Sequence, residues 1–137
     1  MPPQTRWFLR AALLYLVAAL ALGVILTLPR AVEAHPLLGA LWPTYLHVLV
    51  VGWLTQLIFG VAYWMFPRHS AGRPRGSAAL GWASFWLLNA GLLLRLVAEP
   101  WQVLGGQVGV VLVASAALQL GAGWAFVLNT WPRIKER

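Results

Sequence analysis

Few side chains in this sequence can do chemistry, and where they fall matters more than how many there are. His47 and Arg95 are ionisable groups inside long apolar runs, while Glu33, His35 and Glu99 stand just outside such runs. Neutral imidazole is the commonest metal ligand near neutral pH. His47 is therefore a candidate ligand, and His35 a candidate second one. Zinc held by His35, His47 and a carboxylate belongs to the same chemistry, although their spacing, twelve residues across Pro36, is unspecific. His47 can equally hydrogen-bond to a neighbouring helix. Arg95 can snorkel to an interface and pair with Glu99 one helical turn on, or it can anchor an anionic group. The chain has no Cys, which excludes thiolate catalysis, iron–sulfur clusters and Cys-ligated zinc. No Asp or Glu falls in the middle of an apolar run, which argues against a proton pump or proton-coupled transporter.

The elements that must hold these residues follow from composition. Of 137 residues, 61% are hydrophobic and only 9% charged, against roughly 45–50% and 25% in a soluble domain. A chain this short leaves much of its surface in water if soluble, so a bilayer is the expected solvent. Four continuous apolar runs cover residues 7–28, 44–66, 78–98 and 107–130, and each exceeds the ~20 helical residues that cross a hydrocarbon core. They do not alternate as barrel strands do, and helices satisfy their own backbone in lipid. Pro29, Pro36 and Pro43 punctuate the first connection. Pro100 and a Gly pair mark the third connection, and Pro132 a final stop. The expected fold is an all-α integral membrane bundle of four transmembrane helices.

Charge sets the expected orientation. With both termini inside, Arg6, Arg10, Arg68, Arg73, Arg75, Arg133, Lys135 and Arg137 gather on the inner side, leaving Arg30 and Arg95 outside. The positive-inside rule then predicts N-in, C-in topology, most naturally in a bacterial cytoplasmic membrane. The net charge of +7 is read as contact with lipid headgroups, not nucleic acid. Arg6 and Arg10 before an apolar run, followed by Ala31-Val32-Glu33-Ala34, resemble a signal peptide. The run is longer than a usual signal core, so a retained first helix is expected. Trp7, Trp42, Trp64, Trp82, Trp101 and Trp131 lie near span ends, where amphipathic rings favour the headgroup layer.

Small and polar residues mark the faces that should pack. Ala12, Ala19 and Gly23 form one stripe, and Gly81, Ser84, Leu88, Gly91 and Arg95 a second. Ser115, Gln119, Ala122, Phe126 and Asn129 form a third. Small residues permit close approach of helices in lipid. Thr55, Gln56, Tyr63, Asn89, Ser115, Gln119 and Asn129 are expected to join helices by hydrogen bonds, each contributing on the order of 0.6–2 kcal/mol.

The second run reads His47-Val48-Leu49-Val50-Val51-Gly52-Trp53, then Phe59-Gly60-Val61-Ala62-Tyr63, ending Met65-Phe66-Pro67. It resembles the second transmembrane helix of the catalytic subunit (subunit I) of haem-copper oxidases, and especially of bacterial nitric oxide reductases. The resemblance covers residues 44–68. It implies that His47 is an axial ligand of a low-spin haem b, with Arg95 as propionate partner and Trp53 and Phe59 in the pocket wall. The family's catalytic subunit has about twelve helices, and its remaining metal ligands have no counterpart here. The resemblance therefore implies a small haem-b protein serving electron transfer or haem and redox support, and not a stand-alone oxygen or nitric oxide reductase. His35 or His47 of a second protomer would complete the ligation, so a dimer or trimer is expected. The rival expectation is a cofactor-free accessory or assembly subunit of a larger respiratory oxidase or reductase. A small-solute or metal-ion transporter with His35, His47 and Glu99 at its entry is the third.

Overall fold

Proline places the helix starts. A computed structural model of the chain describes residues 1–28, 33, 35–67 and 75–134. Helix α1 spans Pro3–Leu26, α2 Pro36–Ala40 and α3 Trp42–His47, each with a proline in its first turn. There the missing N–H costs nothing, because first-turn donors have no helical acceptor. The chain then runs without a break through a π-helical segment, Val48–Thr55, into α4, Gln56–Met65. Helix α5 covers Ala78–Val103, and its first turn is capped by the Ser77 hydroxyl, which accepts from Leu80 N at 3.4 Å. Helix α6 covers Gly109–Thr130 and closes in a 3-10 turn, Trp131–Arg133. Gly105, at φ +90°, makes the tight reversal between α5 and α6.

Four helices are long and apolar enough to cross a membrane: Pro3–Leu26, Leu37–Met65, Ala78–Val103 and Gly109–Arg133. Among the described residues there is no β-strand. The spans overlap the expected segments, with two shifts: the second begins at Leu37, inside the expected first connection, and the third ends later than expected. The third helix runs on through Pro100 to Val103, so Glu99 lies in the helix and not in the connection after it. Arg30, Arg68, His69, Arg73, Lys135 and Arg137 lie outside the described residues.

The bundle is built from two antiparallel hairpins. In the first, α1 lies along the second span, with Phe8 against Gly60, Tyr15 against Gly52, and Gly23 against Tyr45. In the second, α5 lies along α6. A Cβ on Gly91 would come within 2.8 Å of the Ser115 carbonyl, so hydrogen alone fits where the two backbones meet. The hairpins join through a small aromatic core. Phe8 meets Phe85 edge to face at 5.2 Å, and Phe59 stacks on Phe126 at 3.9 Å. Ala12, Ala19 and Ala122 are fully buried, as the small-residue stripes predict. The exterior is apolar, with Leu14 72% and Val110 85% exposed. In water such a surface is a large apolar patch; in a bilayer it is the ordinary outside of a bundle.

Candidate functional site

One end of the bundle gathers the ionisable residues singled out from the sequence. Helix α3 ends at His47, and α5 brings Arg95 and Glu99, one turn apart, to the same level. His47 Nδ1 lies 2.9 Å from Glu99 Oε1 and 3.0 Å from the Pro43 carbonyl oxygen. Arg95 Nη1 donates to the same Glu99 oxygen at 3.2 Å and sits 3.4 Å from His47 Nε2. Thr44 Oγ1 donates to the other Glu99 oxygen at 3.3 Å. The Glu99 side chain is only 7% exposed, against 31% for His47 and 18% for Arg95. A buried carboxylate is tolerated only when paired and hydrogen-bonded. Here it meets one guanidinium, one imidazole N–H and one hydroxyl.

This geometry assigns the imidazole proton. Two acceptors face Nδ1, so the proton sits there and is shared between Glu99 and Pro43. A donor faces Nε2, so that nitrogen presents its lone pair. Metal-bound histidines commonly hold the other ring N–H on a carboxylate or backbone carbonyl in this way. His47 therefore has the tautomer and the support that a ligating imidazole would need, while Arg95 Nη1 lies 3.4 Å from Nε2. Ligation requires the guanidinium to swing off Nε2. Among the described residues no three His, Cys, Asp or Glu side chains cluster. His35 is exposed at the start of α2.

Arg95 continues the network into α6. Its Nε donates to Ser115 Oγ at 3.2 Å, Ser115 Oγ donates to the Gly91 carbonyl at 2.7 Å, and Gln119 Nε2 donates to Ser115 Oγ at 3.4 Å. Ser115 can take this place because Gly91 lets α6 approach. A second polar chain lies deeper. Tyr15 OH donates to Asn89 Oδ1 at 3.1 Å, and Asn89 Nδ2 donates to Gln56 Oε1 at 2.7 Å. Gln56 Nε2 donates to the Gly52 carbonyl at 3.2 Å. That carbonyl lies in the π-helical segment, which begins directly after His47 and ends directly before Gln56. Its i→i+5 turns hold more residues than α-turns, so they rephase the faces of the span between the two networks. Long π segments are rare, and π turns concentrate at functional sites.

Of the residues expected near one another, the structure brings His47, Arg95 and Glu99 into contact. Trp53 lies in the π segment, partly exposed. Phe59 is twelve residues from His47, on the order of 15 Å along the span, and is stacked on Phe126 in the aromatic core. Thr44 is the member that sequence reasoning missed; Glu99 was expected near His47 only as part of a transporter entry, not as the carboxylate that holds its ring. The i,i+4 spacing of Arg95 and Glu99 was a signal, but it pointed to surface pairing and not to a buried carboxylate.

The opposite end holds a different arrangement. Arg133 is fully buried. Its Nε donates to the Pro67 carbonyl at 3.0 Å, and its Nη2 donates to the carbonyls of Tyr63 and Phe66 at 3.0 and 2.7 Å. The guanidinium also lies over the Tyr63 ring, 5.6 Å from its centroid. It therefore closes the orphan carbonyls at the C-terminus of α4, where the helix dipole favours a cation. Arg75 donates to the Trp64 carbonyl in the same turn. Comparison with protein-family models, with curated proteins and with solved structures finds no match.

Proposed function

We propose that this chain is an integral membrane protein with four spans and both termini on the inner side. In this reading it sits in a bacterial cytoplasmic membrane, where His47 serves as an axial ligand to haem b in electron transfer or redox support. The observation that carries the reading is the double acceptor on His47 Nδ1, Glu99 Oε1 at 2.9 Å and the Pro43 carbonyl at 3.0 Å. It leaves the lone pair of Nε2 without a proton, as coordination needs, and the resemblance of residues 44–68 to the haem-bearing helix of subunit I agrees with that use. Glu99 fixes the ring and makes it a stronger donor. Arg95, once off Nε2, is placed to pair with an anionic group such as a propionate. When bound, haem b would supply one-electron redox chemistry. A second axial ligand would come from His35 or from a second protomer, which implies a dimer or trimer.

A second reading has its own observation. Arg95 Nη1 lies 3.4 Å from Nε2, and with it every polar position around His47 is taken by the chain itself. That completeness suits a cofactor-free accessory or assembly subunit of a larger oxidase or reductase, in which the His47–Glu99–Arg95 cluster is a structural clasp. An optical spectrum separates the two readings. Protein purified in detergent, or reconstituted with haemin, is expected to give a Soret band that His47→Ala abolishes. A colourless protein that takes up no haemin, or a band unchanged in His47→Ala, overturns the ligand assignment.

A further inference from the structure

We propose that Gln56 is a positioning residue for His47: its side-chain amide locks the π-helical turns of the second span in the register that brings His47 to Glu99. This role is the same whether His47 ligates haem or closes a clasp, because it concerns how the ring reaches Glu99. His47 and Gln56 are nine residues apart. At about 100° per residue, an unbroken α-helix would turn them to opposite faces. Here both reach into the bundle. Gln56 is 1% exposed, and His47 Nδ1 lies 2.9 Å from Glu99 Oε1. The same phasing runs along the span. Thr44, Val48, Gly52, Gln56 and Gly60, every fourth residue, are all buried. An α-helix drifts by about 40° over four residues, so it cannot keep that whole series inward. Turns closed i→i+5 hold more residues, and Val48–Thr55 supplies them in the middle of the series.

Gln56 holds those turns through the carbonyl that an α-helix would have used. In an α-helix the Gln56 N–H would donate to the Gly52 carbonyl, four residues back. That N–H donates instead to the Trp53 carbonyl, and the side-chain Nε2 of Gln56 takes the Gly52 carbonyl at 3.2 Å. Asn89 on α5 fixes the other half of the amide. Its Nδ2 donates to Gln56 Oε1 at 2.7 Å and to the Phe85 carbonyl at 2.8 Å. A buried amide engaged at both ends is costly to disconnect. Gly52 adds a steric condition, because a Cβ there would come within 2.8 Å of Tyr15 Cγ and 3.0 Å of Leu92 Cδ2. The register must therefore present Gly52, and neither Val51 nor Trp53, to that contact. Converting one π turn to an α turn would swing His47 about the helix axis by on the order of 100° relative to α4. Both His47 and Thr44 would then leave the Glu99 carboxylate.

The test uses the full chain in detergent. The sequence has no Cys, so Leu46→Cys and Ile58→Cys, at two exposed positions either side of the π segment, carry the only spin labels. Their separation reads the phase between the two halves of the span. Gln56→Met keeps the side-chain length and removes the amide, and it is expected to lengthen that separation by about 5 Å or more. With His35→Gln and His69→Gln in place, nitrogen-15 NMR reports the His47 ring alone. Its Nδ1–H tautomer is expected to become a mixture in Gln56→Met. Asn89→Ala, which frees Gln56 Oε1, is expected to shift both readouts the same way by less. It carries the test if Gln56→Met loses helix content by circular dichroism. Tyr15→Phe, whose lost hydroxyl donates to Asn89, is expected to shift neither. An unchanged separation overturns the proposal, and so does a longer one with an unchanged tautomer. The full effect of Gln56→Met appearing in Tyr15→Phe overturns it as well. The Soret band is a separate measurement, so the haem reading stands or falls apart from these results.

Discussion

The two ends of this bundle each hold an arginine, Arg133 fully buried and Arg95 partly so, and they settle its charge in opposite ways. At the His47 end Arg95 finds a carboxylate on its own helix. Glu99 accepts from Arg95, His47 and Thr44, and Ser115 accepts from Arg95 Nε. At the other end Arg133 finds, among the described residues, carbonyl dipoles, the Tyr63 and Phe66 rings and a second arginine. The buried side-chain atoms without partners make the same point: Thr5 Oγ1, Asn129 Nδ2 and Arg133 Nη1. Arg133 and Asn129 close α6 at the second end, and Thr5 opens α1 there, because α1 runs antiparallel to the second span. A self-sufficient polar cluster can hold a ring in one orientation. Polar networks in a low-dielectric interior gain most when every member is satisfied, so the His47 end is the more completely satisfied of the two.

Substitutions at three positions probe that contrast. The largest effect is expected from Arg133→Ala, which releases Tyr63, Phe66 and Pro67 carbonyls together and unties α6 from α4. A loss of about 3 kcal/mol or more is expected, measured by detergent-induced unfolding. A loss under about 1 kcal/mol would show that the carbonyl cap is not a major tie. Next comes Glu99→Leu, which leaves Arg95 without a counter-charge and frees His47. About 2–3 kcal/mol is expected, while Glu99→Gln, which keeps an acceptor, loses less. The same pair reports on the ring: nitrogen-15 NMR is expected to show the Nδ1–H tautomer in the native protein and a mixture in Glu99→Leu. An unchanged tautomer in that variant would remove Glu99 from the role given to it. The smallest effect is expected from Tyr15→Phe, which deletes one hydrogen bond to Asn89. Its cost is about 0.6 kcal/mol, and a much larger one would mean that the mid-bundle chain acts as a unit.

Much of the scaffold was legible because each signal was local. The apolar runs marked the spans, whereas Pro36 and Pro43, read as breaks in the first connection, instead lie in the first turns of helices. The stripe of Gly81, Ser84, Leu88 and Gly91 marked the face of α5 that packs, and all four are buried. Pro100 misled, because a proline near a helix end reads as a stop. The helix instead continues through it, carrying Glu99 inward. The π-helical segment had no visible signal, since Val48 to Thr55 reads as an ordinary apolar run. Arg133 read as one more basic tail residue, because its burial depends on carbonyls 66 to 70 residues earlier in the chain.

Sequence by itself determined that this chain makes four long apolar helices and which few side chains are chemically able. Those properties follow from hydrophobicity and backbone hydrogen bonding, which act over a few turns. Only the tertiary structure decided how those side chains are spent. It set the Glu99 carboxylate on His47 Nδ1 and Arg95 on Nε2, and it turned a tail arginine into a buried cap. A hydrogen bond is made or lost within a few tenths of an ångström, and that closeness depends on how helices dock, as where Gly91 lets α6 approach α5. Spacing along one chain cannot specify it.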